Sequence, residues 1–267
     1  MRKKEIAMSI KTKIAAILIC IVMVCGTLVS CDIIGQGNNG NNQNLQTDKY
    51  TLTVTTQFAT NDEKMKSAIN ALGAANYVIN VDGDDLQLEN STELQGASVD
   101  NSYIYVDGTL YHAQTVSVGD KQLSSYEKSI MTVEEREALV SNLGTGASIG
   151  IGDFLDQQMN TFGATTTYIC SEMDEESKAS LSEIYEKKFA AIGAEVIIDS
   201  ASYQLEVLNG RNHKSVLSCD FVIILDGEEY KLTVHTYYTY DYDAEFSISA
   251  PENADRYTET STEDIIG

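Results

Sequence analysis

The stretch CDFVIILDGEEYKLTV, residues 219–234, decides the fold of this chain. Two apolar runs flank Asp226-Gly227, a pair that suits the two-residue type I′ turn because both central residues of that turn need positive φ. A two-residue loop also determines which residues face each other across the hairpin. The predicted pairs are Phe221 with Leu232, Ile223 with Tyr230 and Cys219 with Val234. Apolar side chains meet in every pair, so the hairpin is expected to bury one face.

Two more Asp-Gly pairs, Asp82-Gly83 and Asp107-Gly108, separate apolar runs in the same way. The predicted pairs are Tyr77 with Leu88 and Ile79 with Leu86 across the first turn, and Tyr105 with Leu110 and Ile104 with Tyr111 across the second. Turn chemistry and side-chain pattern agree at three places, which indicates a chain dominated by antiparallel strands.

Helices are predicted in the middle of the chain. Thr132 and Glu135 have the spacing of a capping box, which opens a helix ending near residue 143. Residues 153–162 predict a second helix, and residues 174–192 predict a third. The third helix carries an apolar stripe that is expected to pack on a sheet. That stripe consists of Leu181, Ile184, Tyr185, Phe189 and Ile192.

The remaining elements follow from alternation of apolar and polar residues. Residues 50–58 predict the first strand, with a short helix after it at residues 61–75. Further strands are predicted at residues 165–170, 196–198, 203–208, 230–239 and 245–249, with a turn at Asn209-Gly210. Residues 50–255 are interpreted as a single α+β domain, and residues 256–267 as a polar tail that is expected to fray.

The first thirty residues have the layout of a secretory signal peptide. Five basic residues open the chain, namely Arg2, Lys3, Lys4, Lys11 and Lys13. An apolar run follows at residues 14–29, which is shorter than the roughly 20 residues that a membrane-spanning helix needs. The alternative, a single N-terminal membrane helix, fits this length and these flanking residues less well.

The four residues Leu28-Val29-Ser30-Cys31 resemble the lipobox of bacterial lipoproteins. The resemblance implies that Cys31 receives a diacylglyceryl thioether and becomes the first mature residue, held by fatty acyl chains such as palmitate at the extracytoplasmic face of the cell membrane. Two acyl chains give a durable anchor, because each buried CH₂ contributes about 0.8 kcal/mol. Residues 31–49 would then be the acylated cysteine and a flexible Asn/Gly-rich tether, too polar to fold.

The mature chain is strongly acidic. Without residues 1–30 it holds 13 basic and 39 acidic side chains, for a net charge of about −26. Such a charge argues against nucleic acid as a partner and against adhesion to anionic lipid headgroups. Contact with the membrane is therefore expected through the acyl chains on Cys31 alone.

Few residues suggest catalysis, and no cofactor, metal or catalytic residue is predicted. Asp82, Asp84 and Asp85 suggest calcium, but their spacing lacks the calcium-loop pattern. The three histidines, His112, His213 and His235, lie outside the known zinc-protease motifs, and His235 is expected on the solvent side of its strand.

Two other groups leave alternatives open. Cys170 and Cys219 could form a disulfide, because export permits one, or remain separate buried thiols. Tyrosines cluster near one reversal and could line the mouth of a cleft or pack across strands. These are Tyr237, Tyr238, Tyr240 and Tyr242.

The folded part resembles LolA/LppX-like exported lipoproteins of uncharacterised role. The marks of the resemblance are Cys31, Val81-Asp82-Gly83, Val106-Asp107-Gly108 and Ala250-Pro251-Glu252. It implies an α+β fold in which a curved antiparallel sheet, an unclosed barrel, packs on a few helices around an apolar hollow that can hold acyl chains. LolA carriers themselves are not acylated, so the resemblance favours local ligand handling over a shuttle.

The resulting expectation is a cell-envelope lipoprotein that acts as a binding module for a lipid or another hydrophobic ligand. The alternative is an acidic surface domain that docks or senses a protein partner and fills its own core. An envelope hydrolase is the third interpretation. The sequence names no ligand-binding residue for any of the three.

Overall fold

The computed structural model describes residues 49–63, 65–66, 75–94, 97–132, 135, 149–190, 193–262 and 265. Within these ranges the chain is mostly sheet. The strands are β1 (Lys49–Ala59), β2 (Ala75–Asp82), β3 (Asp85–Leu94), β4 (Ala97–Val106), β5 (Thr109–Val118), β6 (Lys121–Ile130), β7 (Gln158–Phe162), β8 (Thr165–Cys170), β9 (Ala194–Leu208), β10 (Arg211–Leu225), β11 (Glu228–Asp241) and β12 (Thr258–Glu259). One α-helix, α1 (Glu175–Ala190), and two 3₁₀ turns, Ile151–Asp153 and Ala254–Arg256, complete the described elements.

All twelve strands form one curved, unclosed sheet in the order β12-β6-β5-β4-β3-β2-β1-β11-β10-β9-β8-β7. Neighbouring strands are antiparallel except β12, which runs parallel to β6, so the sheet is mixed. The predicted α+β class and the predicted curved, open sheet agree with this architecture. Strand β1 lies between β2 and β11 and joins β2–β6 on one side to β7–β11 on the other.

Two of the three Asp-Gly hairpins have the predicted registers. Phe221 faces Leu232, Ile223 faces Tyr230 and Cys219 faces Val234 between β10 and β11. Tyr105 faces Leu110 and Ile104 faces Tyr111 between β4 and β5. Positive φ occurs at Asp107, Gly108, Asp226 and Gly227, as type I′ turns require. The Asn209-Gly210 turn between β9 and β10 has the same geometry, with φ of 53° and 79°.

The predicted register of the first hairpin is wrong by two residues. Ile79 faces Leu88 rather than Leu86, and Tyr77 faces Asn90 rather than Leu88. Asp82 is the last residue of β2, where Lys49 faces it and donates to its carboxylate at 2.8 Å, so the turn begins at Gly83. Only Gly83 has positive φ, which suits the type II′ turn. The shift by two residues keeps every side chain on its predicted face.

The helix α1 packs Leu181 and Tyr185, the two members of the predicted apolar stripe whose side chains the structure describes, against the sheet. Leu181 is 0% exposed, and the ring of Tyr185 lies 4.6 Å from the ring of Phe221 on β10. Acidic Glu175 and Glu176 occupy its first turn, where they complement the helix dipole. One continuous hydrophobic core joins these residues to the inner side chains of the sheet.

Two predicted elements, the helix at residues 153–162 and the strand at residues 245–249, are wrong. Residues 153–162 form no helix, because Asp153 accepts from the Gly150 N–H at 2.6 Å in a 3₁₀ turn and β7 follows to pair with β8. Residues 245–249 form no strand. Lys49 reaches across from β1 and donates to the Phe246 carbonyl at 2.6 Å.

The C-terminal tail is also ordered in part, contrary to the predicted fraying. Tyr257 is buried against the edges of the Tyr111 and Tyr126 rings, with centroids 5.3 and 5.4 Å away. Strand β12 follows it, and Thr262 shares a 2.9 Å hydrogen bond with Ser129. Contacts among these five tyrosine, serine and threonine side chains therefore hold the tail against β5 and β6.

Most of two predicted helices, at residues 61–75 and 132–143, lies outside the described residues, as do residues 1–48 with Cys31. The capping box itself is present. The Thr132 N–H donates to the Glu135 carboxylate at 2.7 Å, and the Glu135 N–H donates to the Thr132 hydroxyl at 3.2 Å. Ala75 belongs to β2, and the helix predicted at residues 61–75 therefore extends one residue too far.

The burial of α1 yields a stability prediction. Leu181→Ala should lower the free energy of unfolding by about 2–5 kcal/mol, because the cavity it leaves lies in the closed core. Ser180→Ala, at the neighbouring exposed position of the same helix, should change it by about 0.5 kcal/mol or less. Urea denaturation followed by circular dichroism measures both. Equal effects would mean that α1 is not packed on the sheet.

Candidate functional site

The inner face of the sheet, defined as the face that carries the hydrophobic core, changes from apolar to polar between β1 and β6. One row of facing side chains shows the change. It runs through Leu52, Ile79, Leu88, Tyr103, His112 and Glu127. The adjacent row runs through Val54, Tyr77, Asn90, Asn101, Gln114 and Ser125. The apolar members are closed off by the core, whereas most of the polar members remain partly or fully exposed.

Five polar members form one group, which we call the inner polar cluster: Asn90, Asn101, His112, Gln114 and Glu127. Hydrogen bonds join the first four, and Glu127 belongs to the group by its charge next to the His112 ring. The amide of Asn101 is its centre. It donates to the Asn90 carbonyl at 2.9 Å and accepts from the Gln114 amide at 3.0 Å. His112 Nε2 lies 3.4 Å from the same Asn101 oxygen. The cluster is therefore preorganised and presents amide groups on a half-buried surface.

His112 is the most buried member of the cluster, at 8% exposure. Its ring stacks on Tyr103 with centroids 4.3 Å apart and planes 7° from parallel, and its Nδ1 lies 3.8 Å from a Glu127 oxygen. Burial lowers the pKa of His112 below its ordinary 6.5, and the Glu127 charge opposes that shift in part. Burial also raises the pKa of Tyr103, with Glu127 adding to it.

Sequence reasoning missed this cluster, although a usable pattern was present. Asn90, Asn101 and Gln114 each lie two positions from an inner-face residue, Leu88, Tyr103 and His112 respectively. Because side chains alternate along a strand, residues two apart share a face. The inner face of a strand is expected to be apolar, so amide side chains on that face in three consecutive strands indicate a site.

The other two histidines lie elsewhere. His235 is on the outer face, as predicted, where its Nδ1 shares a 2.8 Å hydrogen bond with the Ser218 hydroxyl. The nearby Asp220 carboxylate accepts from Ser200 and Thr233, both at 2.6 Å. These two hydrogen bonds lower the pKa of Asp220, and the charge of His235 lowers it further by a smaller amount. The carboxylate is thus engaged by hydroxyls and does not orient the imidazole as a Ser-His-Asp triad would.

His213 belongs to a second polar region, a cleft of about 420 Å³ at the β9–β10 turn. The cleft is lined by Leu208, Asn209, Arg211, Asn212, His213, Tyr242 and Asp243. The Arg211 guanidinium lies 5.2 Å from the centre of the Tyr242 ring, which orients it by a cation–π contact.

Both interpretations of the tyrosine cluster hold for different members. Tyr238 and Tyr240 are buried, and Tyr240 packs near Tyr50 with centroids 6.2 Å apart. Tyr242 stacks on Tyr240 and lines the cleft. Tyr237 is exposed on the opposite face of β11.

Cys170 and Cys219 are both buried and form no disulfide with each other, so the structure contains the two separate thiols. Burial raises the pKa of Cys170, and the Asp156 charge adds to it, which disfavours a nucleophilic thiolate. Asp82 of the considered calcium site binds Lys49. In the described ranges, His, Cys, Asp and Glu form no group of three or more that could hold a metal ion.

No protein-family model matches this chain. No curated protein matches it either. Among the described residues, none of the helices has both the length and the apolar character that a membrane crossing needs.

The contact between His112 and Glu127 gives a titration prediction. Glu127→Gln should lower the pKa of His112 further, because it removes the charge that opposes the effect of burial. NMR titration of the His112 ring measures this. Glu206→Gln, beside His213, should leave the pKa of His112 unchanged. An unchanged His112 in the Glu127→Gln variant would mean that the two side chains do not interact.

The lowered pKa of His112 makes the stability of the folded chain depend on pH. The folded chain favours neutral His112, so the contribution of this residue to stability is complete above pH 6.5. It is lost as pH falls from there through the lowered folded pKa.

Proposed function

We propose that this protein is a membrane-anchored extracytoplasmic lipoprotein that binds a lipid or a similar ligand with an apolar and a polar part. The observation that carries the proposal is the change along the inner-face rows, from the closed Leu52 and Val54 to the half-exposed Asn101 and Gln114. An amphiphilic ligand suits such a surface, because its polar groups can take the hydrogen bonds that the amides offer.

The open, curved sheet supports this proposal because it is consistent with the LolA/LppX-like arrangement that the sequence resemblance implies. That arrangement wraps an open, curved sheet around helices and holds acyl chains on the inner side. Here the sheet is open at β12 and β7, and α1 covers part of its inner face. The location of the inner polar cluster adds a refinement: the ligand's polar end would face β4, β5 and β6.

A binding role is favoured over catalysis by the composition of the cluster. Its members are three amides, one imidazole and one carboxylate, and the amides are hydrogen-bonded to each other. Amides recognise polar groups by donating and accepting hydrogen bonds, but they do not act as nucleophiles or general bases.

One observation favours the alternative, an acidic domain that docks or senses a protein partner with a filled core. Leu181 and Tyr185 of α1 occupy the inner face beside β9 and β10, with exposures of 0% and 1%. Side chains of the chain itself therefore take up that half of the concavity. The experiment below distinguishes the two functions.

Asn101→Leu should remove most of a bound ligand, because it breaks the hydrogen bonds at the centre of the cluster. The full-length protein is purified from bacterial membranes, and co-purified small molecules are extracted and quantified by mass spectrometry. We expect the wild-type protein to carry a defined compound and Asn101→Leu to carry several-fold less.

Asn80→Leu is the matched control, since Asn80 makes comparable hydrogen bonds, to Thr51 and Gln87, on the outer face. It should retain the compound. Equal loss in both variants would contradict binding at the inner polar cluster. A wild-type protein without any defined compound would favour the protein-docking alternative.

The anchor is tested separately. Cys31→Ala should abolish incorporation of radiolabelled palmitate into the full-length chain, because no thiol remains at the lipobox position. Cys25→Ala, a change at the other side of the lipobox, should still be labelled. Labelled Cys31→Ala protein would overturn the assignment of the anchor.

A further inference from the structure

Strand β7 forms one end of the sheet and pairs only with β8. All five of its residues are exposed, and within the residues that the structure describes no strand other than β8 pairs with it. An edge strand of this kind presents unpaired N–H and C=O groups to any strand that can lie beside it.

This end of the sheet carries no charge. From Gln157 to Cys170 the chain has no Asp, Glu, Lys or Arg, although 22% of the whole chain is charged. Of the nearest carboxylates, Asp156 accepts from the N–H groups of Ser171 and Glu172 at 2.8 and 2.7 Å. Glu206 faces Thr167 from β9, two strands inward and therefore about 10 Å from β7.

Apolar side chains are exposed at the same end. Phe162 is 92% exposed and Met159 is 63% exposed on β7, and Ile169 on β8 is 41% exposed. Leu155, just before β7, is 68% exposed. Natural edge strands usually carry charges that prevent association, and this edge has none.

The opposite end of the sheet is protected in the usual way. Strand β6 carries Lys121, Glu127 and Lys128, and β12 pairs with part of it. The two edges of one sheet therefore differ among the described residues: β7 has no charged residue and no second strand beside it, whereas β6 has three charged residues and pairs with β12 at Glu127 and Lys128.

We propose that β7 pairs antiparallel with β7 of a second copy of this chain, so that the two sheets continue into one. The distribution of charge selects this partner. Each copy of the full chain carries a net charge of −22, so two copies repel each other wherever their acidic surfaces approach. The uncharged end is where they can meet without that cost. A basic partner protein would instead gain by docking on the acidic surface.

A two-fold axis near Asn160 satisfies the geometry, because a symmetric dimer uses the same strand from both copies. Facing Cα atoms in an antiparallel pair are about 4.5–5.5 Å apart. That separation lies within the roughly 4.4–6.8 Å that a disulfide spans. A cysteine at residue 160 would thus report the pairing directly.

Cells that produce the full-length chain with Asn160→Cys are treated with diamide, and non-reducing gel electrophoresis measures the covalent dimer. We expect several-fold more dimer than with Ser124→Cys, a control at an exposed position of β6. The wild-type chain measures the background from its own cysteines, of which Cys170 and Cys219 are buried. Equal dimer from the residue 160 and residue 124 variants would overturn the proposal. So would a crosslink of Asn160→Cys to a different protein.

A second pair of changes separates strand pairing from overall charge. In the Asn160→Cys chain, Phe162→Lys should reduce the dimer several-fold, because a lysine on an edge strand opposes pairing with another strand and because the change removes the apolar Phe162 side chain from the interface. Leu123→Lys on β6 changes the net charge equally, and its side chain is also exposed, at 76%. It should leave the dimer unchanged or increase it. An equal reduction by both changes would contradict pairing through β7.

Discussion

The pairing of β1 with β11, a strand near the other end of the folded chain, is the constraint on which the rest of the structure depends. Leu52 of β1 faces Ile79 of β2, the next strand in the sequence, on one side and Tyr240 of β11 on the other. Without β1 the strands β2–β6 and β7–β11 would be two separate groups. Its inner residues Leu52 and Val54 are fully buried, so this strand also crosses the core. Pairing with β11 closes a loop of most of the folded chain, which predicts slow folding through non-local contacts.

Because the sheet is continuous, its inner face changes step by step from apolar side chains at β1 to polar side chains at β6. Strands near β1 contribute apolar side chains that the core closes off, while β4, β5 and β6 contribute amides, His112 and Glu127. The amide of Asn101 is hydrogen-bonded to Asn90 and Gln114, whereas the buried Nδ1 of His112 makes no hydrogen bond and lies 3.8 Å from a Glu127 oxygen. These strands carry the half-exposed polar surface to which we assign the polar part of a ligand.

The two ends of the sheet follow different rules. At β6 a charged edge, a short parallel strand and the packing of Tyr257 finish the sheet, so the C-terminal residues act as its cover. At β7 the same sheet ends in exposed, neutral residues. Because the surface is otherwise acidic, the absence of charge there is as informative as a charged patch would be on a neutral protein.

Local turn chemistry allowed the registers of two hairpins to be predicted from the sequence. Asp107-Gly108 and Asp226-Gly227 adopt positive φ by themselves, and the facing residues follow from that geometry. At Asp82-Gly83 the same reasoning was wrong by two residues, because the contact with Lys49 keeps Asp82 in its strand. Residues 153–162 became a turn and a strand, since β8 offered a partner that no local pattern reveals.

By itself, the sequence determined the turns, the apolar faces of the strands and α1, the strong acidity and the lipobox pattern at Cys31. These depend on residues close together in the chain. Only the tertiary structure decided which strands are neighbours, that Asn101, His112 and Gln114 share one surface, and that β7 is left at the edge. Such facts depend on pairing between distant segments, and the free energy of that pairing comes from burial across the whole sheet rather than from any local stretch.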